Sequence, residues 1–167
     1  KLECGMSTLE VKAIQAPSGY DLDMPAGHII QVVHSSTTTS ASSSSTSHAD
    51  TGLTATITPK FSSSKILVAI HQNGVRKHND HAYNDVDIFL LRGSTNIANI
   101  GKYVAFTNSA MHLYVGTVSG EMLDSPATTS ATTYKTTFAN PDGGSNGTVY
   151  VQEANARSTI TLMEVAQ

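Results

Sequence analysis

Two imidazoles and three carboxylates fall within ten residues of this sequence, in the stretch HNDHAYNDVD that begins at position 78. Calcium and similar hard cations take several oxygen ligands, which Asp80, Asp85 and Asp87 would offer. The spacing and turn glycine of a calcium loop are missing, however, and His78 and His81 lack the usual partners of a zinc site. We predict no metal site here, keep a structural calcium as the minor alternative, and expect a solvated loop able to contact a ligand.

The same loop carries Tyr83 among polar side chains, a mixture that can stack on saccharides and hydrogen-bond to them. A tyrosine on a sheet is also often half-buried packing with a wet hydroxyl, and we favour that interpretation for Tyr114, Tyr134 and Tyr150. For Tyr83, both saccharide contact and packing remain open as interpretations. The predicted ligand-binding residues are His78, Asp80, His81, Tyr83, Asn84 and Asp85.

Catalytic arrangements have weaker support. Serine and threonine are so abundant that a histidine near a hydroxyl means little, and no phosphate-binding glycine loop is present. The paired carboxylates of a glycosidase come together only in the folded protein, so their spacing in the sequence does not reveal them. The carboxylates here are few, which argues against such a pair. Cys4 lies near the start of the sequence and is a poor candidate nucleophile. We predict a protein that is not an enzyme and assign no catalytic residue.

Composition limits the partners. The 167 residues are only 14% charged, contain no tryptophan and carry a formal net charge of −3. A nucleic-acid partner would require clustered lysine and arginine, so none is expected. No apolar stretch approaches the roughly 20 residues that span a bilayer, and no membrane insertion is expected. The single cysteine excludes an internal disulfide framework and favours synthesis in a reducing cytoplasm.

The longest apolar run, KILVAIHQ at 65–72, is the element around which the rest must be arranged. Ile66, Val68 and Ile70 point to one face of a strand, while Leu67 and Ala69 point to the other. A strand that is apolar on both faces is covered on both. No good helix supplies the second cover, so we predict an oligomer with Leu67 and Ala69 in the interface.

Residues 1–27 are expected to form an extended arm, because Pro17 and the Pro-Ala-Gly at 25–27 interrupt a short alternating segment. Leu9 and Val11 lie on one side of that segment, and we place them in the oligomer interface as well. A simple edge strand of the same domain is an equal alternative. Residues 1–5 are interpreted as a cloning remnant, with a processed upstream piece as the alternative.

Residues 28–167 are expected to form one domain. Alternating segments separated by Gly, Pro and Asn predict about nine or ten short strands, with Leu53, Ala55 and Ile57 pointing inward from one of them. Residues 73–84 are expected to be a polar loop. No convincing helix appears, so the fold class is all-β: an antiparallel, jelly-roll-like β-sandwich.

Several stretches also carry a resemblance. They are MSTLEVKAIQ, SSTTTSASSSSTS, TGLTATITPKFSSSKILVAI, FLLRGSTNI, LDSPATTSATTYKTTF, GTVYVQ and STITLMEVA. In these the sequence resembles small tail-fibre and other virion-associated proteins of bacteriophages, over most of the chain from Met6. More loosely, the order of strands is similar to the trimeric C1q/TNF-like jelly roll, although the aromatic content is lower here. The resemblance implies a threefold assembly whose inner sheets pack around an axis.

Our leading hypothesis is a non-enzymatic structural protein of the phage virion, of tail-fibre or decoration type, whose arm docks to other virion proteins. The first alternative is a lectin-like module that recognises host surface glycans. The second alternative is a filament subunit, in which the arm completes a neighbour's sheet by strand addition.

Overall fold

The computed structural model describes residues 25–142 and 147–167. Leu9, Val11 and nearly all of the predicted arm lie outside these ranges. The described residues form ten strands and a short 3₁₀ turn at Glu153–Asn155. The strands are β1 (Ile29–Thr37), β2 (Ala41–Ser43), β3 (Ala49–Ile57), β4 (Lys65–Lys77), β5 (Val86–Arg92), β6 (Thr95–Val104), β7 (Leu113–Asp124), β8 (Thr132–Ala139), β9 (Val149–Val151) and β10 (Ser158–Val165).

The strands form two antiparallel sheets. Sheet A has the order β1-β10-β4-β7. In the same sheet, β9 pairs with Arg76 and Lys77 at the end of β4, and β2 pairs with β9. Sheet B has the order β3-β8-β5-β6. With the short β2 and β9 set aside, the first long strand pairs with the eighth, the second with the seventh, the third with the sixth and the fourth with the fifth. This is the pairing of one long hairpin rolled into two layers, and the predicted jelly-roll sandwich is confirmed.

The core lies between the two layers and follows from alternation along each strand. β3 contributes Leu53, Ala55 and Ile57, and β4 contributes the predicted Ile66, Val68 and Ile70. Burying a large aliphatic side chain contributes about 1.5–3 kcal/mol, so one register shift would cost several such contacts. The core is completed from the other strands mainly by Leu90, Tyr134, Ile160 and Leu162.

The opposite side of β4 forms the outer face of sheet A. Four apolar side chains lie directly beside one another on this face: Val32 on β1, Met163 on β10, Leu67 on β4 and Leu123 on β7. We call these four side chains the apolar row. Val32 is 55% exposed and Leu123 is 49% exposed, whereas Leu67 is half-buried by its neighbours. The central position of β4 is confirmed, and the cover over its outer side remains a prediction.

Residues at the two limits of the described chain meet at one corner of the sandwich. The Gly27 amide donates to the Ala166 carbonyl at 2.9 Å, and the Ala166 amide donates to the His28 carbonyl at 2.9 Å. These bonds extend the β1–β10 ladder by one step beyond Ile29. No helix among the described residues has the length and apolar character needed to cross a bilayer.

The expectation that residues 73–84 form a polar loop is partly wrong, because β4 continues through Lys77. A bulge at Gly74, with a φ of +62°, shifts the alternation by one residue. Val75 and Lys77 therefore point inward and Arg76 points to the outer face. The loop begins only at His78, whose amide still donates to the Thr148 carbonyl at 2.9 Å.

Candidate functional site

The predicted ligand loop lies at the end of the sandwich opposite the Gly27–Ala166 corner, between the end of β4 and the start of β5. It is anchored to its surroundings: the Tyr83 amide donates to the Thr107 carbonyl at 2.8 Å. The structure divides the six predicted residues. Tyr83 is half exposed, while His78, Asp80 and His81 are reached by solvent in part. Asn84 and Asp85 are buried, so a contribution to a ligand site would consist of shaping the loop.

Asp80 holds this loop against the start of β9. Its two carboxylate oxygens accept the Thr148 amide at 3.1 and 3.0 Å, and Oδ1 also accepts the Asn84 side-chain amide at 3.1 Å. Desolvation acts to raise the pKa of Asp80, but the hydrogen bonds from Thr148 and the nearby His78 outweigh it and lower the pKa. Asp80 is therefore a structural anchor in its charged form.

Asp85 lies in the opposite electrostatic situation. It is 1% exposed, and burial, followed by repulsion from Asp87 and Asp142, raises its pKa to about 6. Lys77 points toward the same interior, where its Nζ donates to the Thr107 hydroxyl at 2.7 Å and to the Ser109 carbonyl at 3.0 Å. The buried groups thus consolidate the loops at this end.

The structure offers no support for a calcium site in the described ranges. No three side chains of His, Cys, Asp or Glu converge there in an arrangement that could hold a metal ion. The carboxylate of Asp80 accepts hydrogen bonds from Thr148 and Asn84, and that of Asp87 accepts the Tyr103 amide at 3.2 Å. The three carboxylates therefore serve different parts of the loop.

A second cluster of side chains lies beside this loop, on the outer face of sheet A. Arg76 on β4 is in register with Tyr150 on β9 and with Tyr114 on β7. His78 directly follows β4 and His112 directly precedes β7. Their rings meet edge to face with centroids 4.6 Å apart. We call Arg76, His78, His112, Tyr114 and Tyr150 the platform.

The guanidinium of Arg76 is the centre of the platform. Its Cζ lies 4.0 Å from the ring centroid of Tyr150 and 5.4 Å from that of Tyr114, within the range of cation–π attraction. Nη2 donates to Glu153 at 3.0 Å and Nη1 lies 3.2 Å from Nδ1 of His112. Arg76 is only 7% exposed, and its Nε has no hydrogen-bond partner among the described residues. Tyr114 is 66% exposed.

The backbone around Glu153 is unusually constrained. Three residues of this turn, Gln152, Ala154 and Asn155, have positive φ values between 52° and 58°. Residues other than glycine rarely adopt this backbone conformation. Gly74 makes this turn possible, because a Cβ at position 74 would lie 2.5 Å from the Glu153 amide nitrogen. Strained backbone of this kind is often retained at functional positions. Here its result is to bring a carboxylate to the guanidinium of Arg76.

Of the five platform residues, the sequence pattern predicts only His78 as a ligand contact. It indicates packing for Tyr114 and Tyr150 and no role for Arg76 or His112. The signal that could have found them is the Asn73-Gly74 pair directly after an apolar strand, since a glycine within a strand often marks a bulge. The neighbours across the sheet could not be read from the sequence.

No family model matches this chain, and no curated protein matches it. Among solved structures, the chain aligns with the crystal structure of the infectious bursal disease virus VP2 subviral particle at 13% identity and a TM-score of 0.41. That alignment covers 92% of this chain and 43% of the other. A structure of the Gx strain of infectious bursal disease virus aligns at 14% identity and a TM-score of 0.30, covering 92% and 41%.

The chain therefore spans about two fifths of the length of the solved structures with which it aligns. Since both TM-scores lie below 0.5, neither alignment carries a functional argument. The jelly-roll assignment rests on the pairing of the strands themselves.

Proposed function

We propose that this protein is a non-enzymatic structural subunit of a virus particle, of phage tail-fibre or decoration type. It is made in the bacterial cytoplasm and works in the virion as a symmetric homo-oligomer, most simply a trimer. Its N-terminal arm docks to other virion proteins. The observation that carries the proposal is the apolar row on the outer face of sheet A, and the stretches that resemble virion-associated proteins support it.

The two outer faces of the sandwich differ in a way that favours sheet A as the assembly surface. On sheet B, the hydroxyls of Thr56 and Thr133 pair across the strands at 2.7 Å, and Lys135 forms an ion pair with Asp50 at 2.8 Å. These hydroxyls and charges are compatible with permanent contact with water. On sheet A, the apolar row extends over four adjacent strands, and such a continuous exposed apolar surface often marks an interaction site.

The charges around the apolar row favour a second copy of the chain as the covering partner. Lys65 precedes Leu67 by two residues on β4, and Glu121 on β7 is in register with Ala69. One group of each sign therefore flanks the row on the same face. In a symmetric assembly, Glu121 of one copy can pair with Lys65 of a neighbour while the rows of all copies pack together. Each subunit then buries a face that it cannot bury alone.

The test is the native mass measured by light scattering for the wild type and for Leu123→Asp. We expect the wild type to have three times the mass of the chain, and Leu123→Asp to be a monomer, because a charge in the row would be buried without a partner. Thr54→Asp on the outer face of sheet B is the matched control and should keep the wild-type mass. A monomeric wild type, or a Leu123→Asp variant of unchanged mass, would contradict the proposal.

The filament alternative has one specific observation in its favour. Among the described residues, β1 pairs only with β10, so its other edge is available for an added strand. An arm that adds to this edge of a neighbouring copy would build an open assembly. Deletion of residues before Pro17 should then abolish polymers, whereas compact trimers that are unchanged by the deletion would exclude this alternative.

A further inference from the structure

We propose that the platform is a binding site for a neutral saccharide. It lies on the same outer face as the apolar row but at the opposite end of β4. Ala69, His71 and their polar cross-strand neighbours Thr161, Glu121 and Ser119 lie between the two. The inference goes beyond the proposed assembly role and does not depend on the oligomeric state.

The shape of the platform fits a sugar ring. One face of a pyranose presents several C–H groups, and such a face packs flat against an aromatic ring while the hydroxyls remain at the edge. Tyr114 offers a ring that is 66% exposed, next to the half-buried ring of Tyr150 on the other side of Arg76. The imidazoles of His78 and His112 border these rings and supply nitrogen atoms that can donate to or accept from hydroxyls.

The charges favour a neutral ligand over an anion. Arg76 is neutralised by Glu153 at 3.0 Å, and its second terminal nitrogen lies against His112. Both terminal nitrogens are therefore already engaged, and the buried Nε alone cannot form the bidentate pair that a phosphate or carboxylate would take. Asp80, 3.4 Å from His78, adds another negative charge at this border. An anionic sugar would meet two carboxylates and no free guanidinium.

The platform has the features of a built site. Arg76 is nine-tenths buried and is held by contacts from both neighbouring strands, yet its Nε lacks a partner within the described residues. The bulge at Gly74 aims it outward, and three residues of positive φ bring Glu153 to it. A merely solvated face needs neither device. Their joint effect is to fix the position and the tilt of the two tyrosine rings.

The other exposed aromatic residues lack this organisation. Tyr83, the predicted ligand residue, faces Phe106 with ring centroids 6.2 Å apart. In the described part of the chain, Tyr103 has only Lys102 over its ring, at 5.4 Å. Because Tyr103 is 62% exposed, almost as much as Tyr114, it provides a matched control for the loss of an exposed ring.

The experiment measures binding of the full chain to immobilised neutral oligosaccharides of hexoses and N-acetylhexosamines, beside a set that contains sialic and uronic acids. Hits are then quantified by saturation-transfer NMR with the free sugar. We expect the wild type to bind members of the neutral set and Tyr114→Ala to lose at least tenfold in affinity. Tyr114→Phe should retain binding because the stacking face is kept, and Tyr103→Ala should bind like the wild type.

Four results would overturn the inference. They are an absence of binding to the neutral set at millimolar sugar, binding restricted to the acidic set, an equal loss in Tyr103→Ala, and a change of native mass in Tyr114→Ala. The last would show that the platform is a contact between subunits. Melting curves of each variant confirm that it is folded. Neutral-sugar binding by a monomeric wild type would contradict the assembly proposal and leave this one standing.

Discussion

At the scale of single residues, two buried carboxylates respond to pH in opposite directions. Glu164 is fully buried on β10, where it accepts the Lys60 amide at 2.7 Å, the Phe61 amide at 3.2 Å and the Gln31 side chain at 2.6 Å. Burial acts to raise its pKa, but these hydrogen bonds outweigh burial and lower the pKa. Asp85 has a raised pKa because its burial is not compensated in this way.

Glu164→Gln should destabilise the protein at neutral pH, because a neutral amide replaces a charge that accepts several hydrogen bonds. We expect a loss of about 1–3 kcal/mol in the free energy of unfolding at pH 7. Since the pKa of Glu164 is depressed in the folded state, its contribution is present above the ordinary pKa and is lost as the pH falls through the folded value. Urea denaturation at pH 7 and pH 4 measures this; an equal loss at both would contradict it.

Asp85→Asn should have the opposite effect. The folded protein binds a proton at Asp85 with a pKa of about 6, so the charged form opposes folding above that pH and the opposition disappears as the pH falls. We expect the variant to be more stable than the wild type by about 1–2 kcal/mol at pH 7.5, and the difference to shrink toward pH 5.

Melting temperatures across this range, with the exposed Asp142→Asn as control, test the prediction for Asp85. The control should show a smaller difference that changes less with pH. A wild type that loses stability relative to Asp85→Asn as the pH falls from 7.5 to 5 would show that the sign is wrong.

Single residues of the site were predictable only where the local pattern decided them. The loop around His78 and Tyr83 was found because polar side chains follow an apolar strand. Sequence could not show that Asn84 and Asp85 are buried, since Asn84 accepts a hydrogen bond from Asn140, far along the chain, at 3.2 Å. The ligand-binding roles of the six predicted residues stay predictions.

At the scale of elements, the bulge in β4 is the feature on which the platform depends. Alternation from Ile66 to Ile70 was readable in the sequence, and so was the inward set of β3. The continuation of β4 was not, because the bulge at Gly74 inverts the alternation and places the charged Lys77 inside. A lysine within a strand usually predicts a solvent-facing position, and the polar character of residues 73–84 predicted a loop.

Gly74→Ala should disturb both stability and the platform. The new Cβ would approach the Glu153 backbone at 2.5 and 2.8 Å, in addition to the strain of a positive φ. Gly93→Ala is the matched control, since Gly93 has a φ of +59° and no atom of the described residues lies within 4 Å of its added Cβ. We expect the control to lose about 1 kcal/mol and Gly74→Ala to lose clearly more, as measured by urea denaturation. Equal losses would show that close packing at the Glu153 turn is unimportant.

At the scale of the whole molecule, strand count and class were predictable because short alternating segments and turn residues are local signals. The partners β1 and β10 lie at opposite ends of the described chain, and no local pattern states their register. Their pairing is seen only in the structure. The apolar row was visible as Leu67 alone, since Val32, Leu123 and Met163 become its neighbours only in the sheet.

If the apolar row joins copies of the chain, stability should depend on protein concentration. Only the folded state assembles, so mass action stabilises it as concentration rises. We expect the melting temperature of the wild type to increase over a hundredfold range of concentration, and that of Leu123→Asp to stay constant. A wild-type melting temperature that is independent of concentration throughout that range would contradict subunit association.

The corner at which Gly27 meets Ala166 also makes the domain mechanically anisotropic. Both of these residues lie at the same end of the antiparallel pair β1 and β10. A force that pulls them apart opens that ladder one hydrogen bond at a time, as a zipper is opened. A force between this corner and the platform at the far end runs along the strands and loads many hydrogen bonds together. The fold should therefore yield at low force when Gly27 and Ala166 are pulled apart. It should resist strongly when it is held at this corner and pulled at the platform.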